Sequence, residues 1–377
     1  MHIKNNYEVE IMNELEQARQ EIVKIDSEMA HLFEARMKIC KNIAYFKKKH
    51  ALPINDTKRE TELINKNRVL INDVVIEDYY VEFLKNLMSI SCKYQSRLIN
   101  GLKVAYSGVK GAFGYIAAKK MFPQAKLIAC PNFEDAYNMT ENGNCDCTVL
   151  PLENSYAGEV GTVMDLMFSG NLYVNQIIDM DIVHNLIACK DVNVNNIKTV
   201  ISHPQALEQC EDYLKRHNLK SVPYSNTALA AQYVKETNDP TIATIASSET
   251  ADIYDLKIID KEINSVKNNT TRFAAFSRSQ NKLDLVSASK NEHFILLFTV
   301  RNEAGALAQT LNIIGAHGFN MRNLRSRPMK RLLWNYFFYL EAEGNINTQN
   351  GKDMLQELSA ICANLKLVGT YCAKNPN

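Results

Sequence analysis

The first 100 residues contain no glycine, and Pro53 is the one proline among them. Glycine and proline are the residues that most readily interrupt helices, so their scarcity favours long, continuous helices here. Long apolar runs are absent as well. No stretch of the 377 residues approaches the roughly 18 apolar residues of a membrane span, and residues 1–16 lack the apolar core of a secretion signal. We therefore expect a cytoplasmic protein that does not bind membranes.

A surplus of charge of either sign is also missing, because 43 Lys and Arg residues face 42 Asp and Glu residues. A net charge of +1 gives no electrostatic footprint for nucleic acid or for an anionic membrane. We therefore expect no nucleic-acid partner, and any anionic ligand must be bound by local groups of Arg and Lys.

Paired cysteines are scarce, because the nine cysteines are scattered and odd in number, which fits reduced thiols in a cytosol. Cys145 and Cys147 form the one close pair, and no histidine or second cysteine pair lies nearby in the sequence. We expect neither a metal site nor a cofactor.

The first segment does contain a helical repeat of apolar residues at steps of three, four and seven. The repeat predicts one amphipathic helix of about 40 residues, about 60 Å long at 1.5 Å per residue. A break follows at His50–Asn55, a second helix starts near Asp56, and a third runs from about Ile76 to Asn100. Three helices of one chain cannot bury so long a stripe, so we predict an all-helical, intertwined dimer. The apolar positions of the first helix are Ile11, Leu15, Ile22, Ile25, Met29, Leu32, Phe33, Ile39, Ile43 and Phe46.

After Gly101 short apolar strands alternate with helices, which is the pattern of an α/β domain. The predicted strands are Lys103–Tyr106, Leu127–Ala129, Thr148–Leu150, Leu186–Cys189, Thr199–Ile201 and Thr241–Ile245. A polar linker at Ser279–Asn291 precedes a last segment, whose predicted βαββαβ order is ferredoxin-like, an α+β fold. Its elements are Phe294–Val300, Gly305–His317, Met321–Arg327, Tyr336–Ala342, Gln349–Asn364 and Lys366–Cys372. We thus predict a multidomain protein with domains at residues 1–100, 101–280 and 291–377.

Polar side chains of the first segment could form an anion site. Arg36 and Lys47 are 11 residues apart, which places them about 20° apart around a helix axis, on one face. Arg19 lies about 25 Å before Arg36, so it could enter the pocket of a partner chain in an antiparallel dimer. Spacing alone also fits solvated charges on polar helix faces. Polar residues that share a face of the other two helices are Asp56, Arg59 and Glu60, and Ser91 and Gln95.

The whole segment resembles the all-helical chorismate mutases, whose pattern of polar residues is filled here at every position. The matching residues are Arg19, Asp26, Arg36, Lys47, Asp56, Arg59, Glu60, Ser91 and Gln95. The resemblance implies the rearrangement of chorismate to prephenate, in which a C–O bond breaks and a C–C bond forms without proton transfer. Such an enzyme can only hold the compact conformer and stabilise negative charge on the breaking ether. Glu60, oriented by Arg59, would bind the ring hydroxyl.

The resemblance also implies how the two carboxylates and the ether are bound. Arg19 from the partner chain and Arg36 would clamp the carboxylates as forked donors, and Ser91 would assist. Lys47 and Gln95 would donate to the ether oxygen as it becomes negative.

Four motifs of the middle segment resemble those of prephenate dehydratases over roughly residues 103–278. They are Gly108–Phe113, Pro151–Ser155, Ser202–Gln205 and Thr271–Phe273. The sequence departs from the family at Val109, where a proline is usual, and at Gly114, where a serine is common. The resemblance implies two α/β lobes hinged around a cleft, as in a periplasmic binding protein, with the second lobe at about residues 182–263.

Prephenate dehydratases remove CO₂ and the ring hydroxyl to give phenylpyruvate, so the cleft needs a proton donor for the leaving hydroxyl. By resemblance Thr271 serves the leaving group, and Arg272 either pairs with a carboxylate or holds Glu153. His203 is a candidate general acid, but its position before Pro204 favours a helix cap. Helix starts would bind the dicarboxylate, although Ser225–Thr227 and Ser247–Glu249 fit capping alone. Other expected cleft residues are Glu153, Asn154, Ser155, Ser202, Gln205 and Phe273.

The last segment resembles ACT domains, which bind amino acids where two copies pair. The family's Gly-Ala-Leu appears as Gly305, Ala306 and Leu307, at a helix start that can receive an α-carboxylate. Its Glu-Ser-Arg-Pro appears as Arg325, Ser326, Arg327 and Pro328, so an arginine replaces the acid. The resemblance implies inhibition by L-phenylalanine with altered sensitivity, and the alternative is a purely structural dimerisation module. We expect a homodimer or a dimer of dimers.

Three other functions fit parts of the sequence. A non-catalytic sensor of an aromatic acid and an amino acid would not need Thr271–Phe273 or the complete mutase pattern. A helical scaffold would not need that polar pattern either. A mutase fused to a prephenate dehydrogenase would need a Gly-x-Gly-x-x-Gly loop, and none is present. The sequence therefore predicts a bifunctional enzyme of phenylalanine biosynthesis with chorismate and prephenate as substrates.

Overall fold

The computed structural model describes residues 2–280, 291–329 and 335–373, with side chains from residue 14 onward. The chain divides into two compact units, Met1–Gly101 and Leu102–Asn377. Within these described residues, no helix is both long enough and apolar enough to cross a membrane.

The first unit consists of three helices, as the sequence predicts. They are α1 (His2–Lys49), α2 (Thr57–Arg68) and α3 (Val74–Asn100). Asp56 caps α2 by accepting from the Arg59 N–H at 3.0 Å, and Asp73 caps α3 by accepting from the Val75 N–H at 2.8 Å. Side-chain caps of this kind fix where a helix begins, because they satisfy N–H groups that have no partner inside the helix.

The apolar stripe of α1 is largely uncovered within the first unit. On the described part of α1 only Cys40 and Ala44 are buried. The exposed apolar side chains of this helix include Leu15, Ile22, Ile25, Met29, Leu32, Phe33, Ile39, Ile43 and Phe46. Contiguous exposed apolar surface of this length is unusual for a monomeric protein.

The second unit begins with an α/β lobe. Its strands are β1 (Lys103–Ser107), β2 (Lys126–Cys130), β3 (Cys147–Asn154), β4 (Gly158–Glu159), β5 (Tyr173–Asp181) and β11 (Thr270–Ser277). Its helices are α4 (Phe113–Met121), α5 (Phe133–Glu141) and α6 (Gly161–Ser169). The strands lie in the order β5-β11-β3-β1-β2, and the two-residue β4 pairs with β3. The strand β11 comes late in the chain and is antiparallel to both of its neighbours.

A second α/β lobe is inserted between β5 and β11, close to the predicted span of 182–263. Its strands are β6 (Asn185–Ala188), β7 (Thr199–Ser202), β8 (Lys220–Pro223), β9 (Ile242–Ala246) and β10 (Lys257–Asp260), in the order β10-β6-β9-β7-β8. Its helices are α7 (Pro204–Gln209), α8 (Glu211–Arg216), α9 (Thr227–Thr237) and α10 (Ser248–Tyr254). Strands β7, β8 and β9 are parallel, and the loops at their carboxyl ends are where such sheets bind ligands.

The C-terminal region has the predicted βαββαβ order. It contains β12 (Glu292–Thr299), α11 (Ala306–Ala316), β13 (Asn320–Pro328), β14 (Tyr336–Glu343), α12 (Gln349–Ile361) and β15 (Asn364–Cys372). Its strands lie in the order β13-β14-β12-β15, which is the ferredoxin-like arrangement.

The C-terminal sheet continues directly into the sheet of the first lobe, because β15 pairs with β5 at Gly369 and Val174. A Cβ atom at position 369 would lie 2.2 Å from the Val174 carbonyl oxygen, so only glycine permits this approach. One apolar core spans the junction and includes Leu150 and Phe276 from the lobe and Phe337 from β14. The C-terminal region and the first lobe are therefore packed as one body.

Candidate active sites

A cavity of about 640 Å³ lies between the two lobes of the second unit. The first lobe contributes Asn154, Thr271 and Phe273, and the second contributes His184, His203 and Gln205, among others. Among the described residues that line the cavity, Glu159 is the one acidic residue and none is lysine or arginine. The Glu159 carboxylate itself is paired with Arg327 at 3.1 Å. The cavity can therefore bind an anion through backbone N–H groups, amides and hydroxyls, without a cation from its own wall.

The Asn154 and Thr271 side chains form a hydrogen-bonded polar pair in the cavity wall. The two residues face each other across the β3–β11 ladder, and Asn154 Nδ2 donates to Thr271 Oγ1 at 2.8 Å. The other hydrogen of that amide is shared between Asn269 Oδ1 and the Thr270 carbonyl oxygen, at 2.8 and 3.3 Å. Because its oxygen accepts from Asn154, the Thr271 hydroxyl keeps its own proton for a molecule in the cavity.

Two histidines of the second lobe lie at the cavity wall in surroundings that favour the neutral ring. Burial lowers the pKa of His203 and of His184, and the His184 ring is also bound to Gln209 Oε1 at 2.8 Å. The His203 Nδ1 atom accepts from the Gln205 N–H at 3.3 Å, so this ring is a helix cap, as expected. A neutral ring that accepts at Nδ1 carries its proton on Nε2 and can donate a hydrogen bond from there.

Two helix starts at the cavity have no side-chain cap. They are the N-termini of α4 and α6, where Phe113 and Gly161 contact the cavity. The starts of α9 and α10 are different, because Asn226 caps Ala228 at 2.8 Å and Ser247 caps Thr250 at 3.1 Å. The two uncapped nine-residue helices leave N–H groups for an anionic ligand.

Gly114, in the first turn of α4, stands where the family commonly has serine. A Cβ atom at this position would lie 2.9 Å from the Ser107 carbonyl oxygen. The close packing of α4 on β1 thus excludes a side chain here, so the hydroxyl of the family pattern has no counterpart at position 114.

Three of the residues expected in the cleft lie outside its wall. The Glu153 side chain is on the opposite face of β3 and pairs with Arg325. Ser155 Oγ donates to the Asn268 carbonyl oxygen at 2.9 Å and accepts from the Thr270 N–H at 2.9 Å. Ser202 is fully buried and donates to the Ile245 carbonyl oxygen at 2.7 Å. These side chains support the backbone around the cavity and do not face a ligand in it.

Arg272 has a partner that neither sequence-based alternative includes. Since side chains alternate along β11, Arg272 points away from the cavity while Thr271 points into it. Its guanidinium binds Glu341 of β14 through two hydrogen bonds of 2.9 Å and also donates to the Tyr371 hydroxyl at 3.1 Å. Arg272 therefore holds a carboxylate of the C-terminal region, and Glu153 is held by Arg325 instead.

In the first unit, several residues of the predicted anion site lie together. Arg36 Nη1 donates to the buried Ser91 hydroxyl, and Lys47 Nζ donates to the Ile54 carbonyl oxygen at 2.6 Å. Gln95 lies one turn beyond Ser91 on α3 and is buried, and its side-chain oxygen has no hydrogen-bond partner in the described chain. A buried amide oxygen without a partner in the described chain calls for an explanation, and a bound ligand is one explanation.

The surroundings of Cys92 show that charged side chains from two helices of the first unit lie near one another. Burial raises the pKa of this thiol, the charge of Glu60 raises it further, and the charge of Lys47 opposes this. The thiol donates to Glu60 Oε1 at 3.8 Å. Glu60 and Lys47 therefore both lie near Cys92.

Three of the predicted mutase residues are placed differently. Arg59 is 70% exposed and its nearest acidic partner is Glu62, at 3.9 Å, rather than Glu60. Asp56 is the cap of α2. Arg19 is 63% exposed and pairs with Glu16 of its own helix at 3.6 Å. The single chain thus brings together Arg36, Lys47, Glu60, Ser91 and Gln95. Arg19 lies on the exposed surface of α1 and is not part of this group.

The C-terminal region contains a smaller cavity of about 300 Å³. It is lined by residues around the start of α11, including Arg301, Gly305, Ala306 and Gln309. Leu307 packs against the core of this region instead. Arg325, Ser326, Arg327 and Pro328 lie on β13 and are not part of the cavity wall.

Comparison with known proteins connects both units to characterised families. Residues 18–96 match the family described as chorismate mutase type II, and residues 104–281 match the family described as prephenate dehydratase. The bifunctional chorismate mutase/prephenate dehydratase of Buchnera aphidicola subsp. Acyrthosiphon pisum is 30% identical over 372 residues, which cover 94% of this chain and 95% of the relative. This chain belongs to the bifunctional chorismate mutase/prephenate dehydratase family.

Solved structures resemble the dehydratase unit. The prephenate dehydratase of Arthrobacter aurescens, in complex with L-Phe, has a TM-score of 0.66 and 26% identity, covering 72% of this chain and 90% of that one. GqqA, described as a novel type of quorum quenching acylase, has the same TM-score with 25% identity, covering 72% of this chain and 98% of that one. Since one fold serves unrelated reactions, membership of the bifunctional family rests on the sequence match over the whole chain.

Sequence reasoning missed His184 and Gln209 of the dehydratase cavity. His184 is 2% exposed, and its Nδ1 atom has no hydrogen-bond partner in the described chain. The sequence signal was weak, because His184 lies on an apolar segment outside all four motifs. Its place in the wall follows from the crossover between β5 and β6, which only the structure reveals.

Proposed function

We propose that the chain rearranges chorismate to prephenate in the helical unit and converts prephenate to phenylpyruvate in the cavity of the second unit. The observation that carries the second step is the Asn154–Thr271 pair, which presents a hydroxyl proton to the cavity. A sensor that only binds an aromatic acid would not need a hydroxyl oriented in this way.

In the dehydratase step, the ring hydroxyl leaves as water while the ring carboxylate leaves as CO₂. The electron pair of the breaking C–C bond enters the ring, which becomes aromatic as the C–O bond breaks. Thr271 Oγ1 donates its hydrogen to the leaving oxygen, and the reaction takes up one proton from solvent overall. Asn154 Nδ2 donates to the Thr271 oxygen, so the hydroxyl does not spend its proton on Asn154 and can donate it to the substrate.

The lack of lysine and arginine among the described residues that line the cavity supports this reaction. Loss of CO₂ disperses the negative charge of a carboxylate, so a cation bound to that carboxylate would stabilise the substrate more than the transition state. No such cation lines the cavity in the part of the chain that the structure describes, while the uncapped starts of α4 and α6 can hold the second, spectator carboxylate. His203 can add a hydrogen bond from Nε2.

In the mutase step, Arg36 and Ser91 bind a carboxylate, and Lys47 and Gln95 stabilise the ether oxygen as negative charge develops on it. The Gln95 side chain contributes its amide N–H group, which requires its oxygen to face away from the ether. Glu60 accepts from the ring hydroxyl. The proximity of these side chains in the described unit supports this assignment.

We propose a homodimer built on α1, in which Arg19 of each chain completes the pocket of the other. The exposed apolar stripe of α1 supports the formation of a dimer. The Arg19 side chain is exposed and pairs with Glu16 of its own helix, which supports its entry into the pocket of the other chain. A dimer of dimers through the C-terminal region is the larger assembly that we propose.

We also propose that the C-terminal region is an ACT domain that binds L-phenylalanine at the start of α11. The ferredoxin-like order and the cavity beside Gly305 support this role. Titrating dehydratase activity with L-phenylalanine tests it. A fall in activity that Gly305→Val abolishes is expected, and a flat response would leave the region a purely structural module.

One assay tests the two activities together. The purified chain receives chorismate alone, without added cofactor, and the products are followed by chromatography. Prephenate followed by phenylpyruvate is the expected sequence. If prephenate accumulates and phenylpyruvate never forms, the dehydratase proposal is wrong; if chorismate remains unchanged while added prephenate is consumed, the mutase proposal is wrong.

A further inference from the structure

Two carboxylates face each other in the hairpin that borders the dehydratase cavity. Glu153 of β3 and Glu159 of β4 are direct cross-strand partners, and Asn154 pairs with Gly158 beside them. Like charges directly opposite each other destabilise a β ladder. A counter-charge would relieve this repulsion. It would act beside Asn154, the last residue of β3, and beside β4, which forms part of the cavity wall.

Arg325 of the C-terminal region supplies this charge. Its Nη2 atom binds Glu153 Oε1, and its Nη1 atom lies 4.0 Å from Glu159 Oε2. Its Nε atom donates to Asn323 Oδ1 at 3.1 Å, which fixes the orientation of the guanidinium plane. One cation thus bridges the two strands of the hairpin from outside the cavity.

Arg327, two residues further along β13, extends the same contact. It lies 3.1 Å from Glu159 and binds both oxygens of Asp165 on α6, at 2.6 and 3.0 Å. The side chains of Arg325 and Arg327 point to the same face of β13, because side chains alternate along a strand. The edge strand β13 of the C-terminal region is therefore joined by ion pairs to the segment from Glu153 to Asp165.

These ion pairs affect Asn154 most, because the end of β3 is irregular. The register between β3 and β11 shifts between the Arg272 and Phe273 partners, so one residue of β3 is extra at this point. Such a bulge disrupts the ladder locally and bends the strand, so the ladder alone does not fix the position of Asn154. Arg325 holds Glu153 on one face of β3, and Asn154 is the next residue, on the other face.

We propose that Arg325 is a positioning residue for the dehydratase reaction, which acts through Glu153 to hold Asn154 and thereby the Thr271 hydroxyl. This inference rests on the proposed function of Thr271 in the leaving-group step. Since the arginine stands where ACT domains have an acid in this motif, the link is a property of this chain. An acid at position 325 would place a third negative charge beside Glu153 and Glu159.

The test compares Arg325→Ala, Arg325→Lys and Arg325→Glu with Arg322→Ala as a matched control. Arg322 lies on the same strand, but its ion pair with Glu343 stays within the C-terminal region. We expect Arg325→Ala to lower kcat for phenylpyruvate formation about 10- to 100-fold, with KM changed much less, because misplaced catalytic groups cost rate more than binding. Arg325→Lys should recover part of the rate, Arg325→Glu should lose the most, and Arg322→Ala should match the parent.

A double-mutant cycle with Glu153→Ala decides whether Arg325 acts through this residue. If the two residues work as a unit, Arg325→Ala/Glu153→Ala should be no slower than Arg325→Ala alone. The thermal midpoint and the mutase rate show whether each variant is folded, and Arg325→Lys replaces Arg325→Ala in the cycle if the alanine variant is not. The proposal is overturned by a kcat within twofold of the parent or by rate losses that simply multiply in the double variant. A parent protein that makes no phenylpyruvate would instead remove the underlying dehydratase function.

Discussion

The side-chain amide of Asn154 donates to the Thr271 hydroxyl at 2.8 Å, and this bond sets the polarity of the only hydroxyl that β11 presents to the cavity. The oxygen of the same amide accepts from the Tyr156 and Ala157 N–H groups, at 3.0 and 2.8 Å. The amide therefore cannot turn over without losing both bonds. Its orientation follows from the turn of the hairpin, and the direction of the Thr271 proton follows from its orientation.

Asn154→Asp should reverse this polarity while keeping the shape of the side chain. A carboxylate cannot donate, so Thr271 would donate to it and withdraw its proton from the cavity. We expect dehydratase kcat to fall about 10²- to 10⁴-fold, the range for loss of a positioned proton donor. Phenylpyruvate formation from added prephenate is the measurement, and an unchanged mutase rate is the control.

Thr271→Val and Thr271→Ser test whether the Thr271 hydroxyl is the proton donor. The valine variant has nearly the same volume without a hydroxyl and should be as inactive as Asn154→Asp, whereas serine should retain part of the rate. A valine variant with near-parent activity would show that Thr271 is not the proton donor.

Lys47→Ala should abolish the mutase reaction and spare the dehydratase. Its Nζ atom makes one described hydrogen bond, to the Ile54 carbonyl oxygen, so its loss should leave the helices intact. Loss of one preorganised cation at a developing oxyanion costs about 10²- to 10³-fold in rate, and a full charge in a partly buried site should cost at least that much. Stopped assays with chorismate and with prephenate separate the two rates. Lys48→Ala, at the exposed neighbouring position, is the matched control and should behave as the parent does.

Mixing Arg19→Ala with Lys47→Ala tests whether two chains share each mutase site. If Arg19 enters the partner's pocket, each variant alone is inactive, but a mixed dimer contains one pocket with both cations. Since half of randomly paired dimers are mixed and one of their two sites is intact, co-refolding should restore about a quarter of the parent rate. A mixture that stays as inactive as its components would place Arg19 and Lys47 in the same chain's pocket, or Arg19 in none.

The sequence was a good guide where local pattern decides structure. The glycine-free repeat predicted α1 through Lys49, and the capping residue Asp56 marked the start of α2. It was a poor guide to β5 and β11, which were not predicted as strands, because their pairing joins residues about 100 positions apart. Long-range pairing of this kind leaves little trace in a local window.

The candidate sites show the same division. Thr271 and Asn154 were found by motif, but the motif could not tell which face of its strand each residue occupies. For this reason Glu153 and Arg272, neighbours of these two residues, were expected at the cleft, although both lie on the other face. Their partners in the structure are Arg325 and Glu341, which belong to the C-terminal region. The sequence shows only that this region follows the cleft residues along the chain. No local pattern specifies that β15 pairs with β5 and so brings that region alongside.

The buried histidines predict how stability depends on pH. Burial lowers the pKa of His184 below the ordinary value of about 6.5, so in acid the unfolded chain binds a proton more readily than the folded chain. The free energy of unfolding should therefore fall as pH drops below about 6.5 and should gain nothing from this group above it. His203 and His293, whose pKa burial also lowers, act in the same direction.

Urea unfolding at a series of pH values checks this prediction with His184→Gln as the variant. The slope of unfolding free energy between about pH 5 and 6.5 should be shallower than in the parent, and the remaining slope comes from other groups, including His203, His293 and carboxylates such as Glu341. Above about pH 7.5 the two proteins should have parallel profiles. A variant whose slope in acid equals that of the parent would contradict the assignment to His184.

The Arg272–Glu341 pair separates a structural role from a catalytic one. Glu341 is 4% exposed, and although burial alone would raise its pKa, hydrogen bonds from Arg272, Tyr371 and Tyr339 keep the pKa below its ordinary value. Arg272→Ala strands this charge in the interior and should lower the free energy of unfolding by about 3–5 kcal/mol, measured in urea. Arg322→Ala, which breaks an exposed pair on the same sheet, should cost less than about 1 kcal/mol.

Replacing both members of the Arg272–Glu341 pair, as Arg272→Met/Glu341→Met, removes the unpaired buried charge and should restore most of the stability. Because Arg272 points away from the cavity, the double variant should also keep its dehydratase rate; a stable double variant without activity would mean that Arg272 binds the substrate after all.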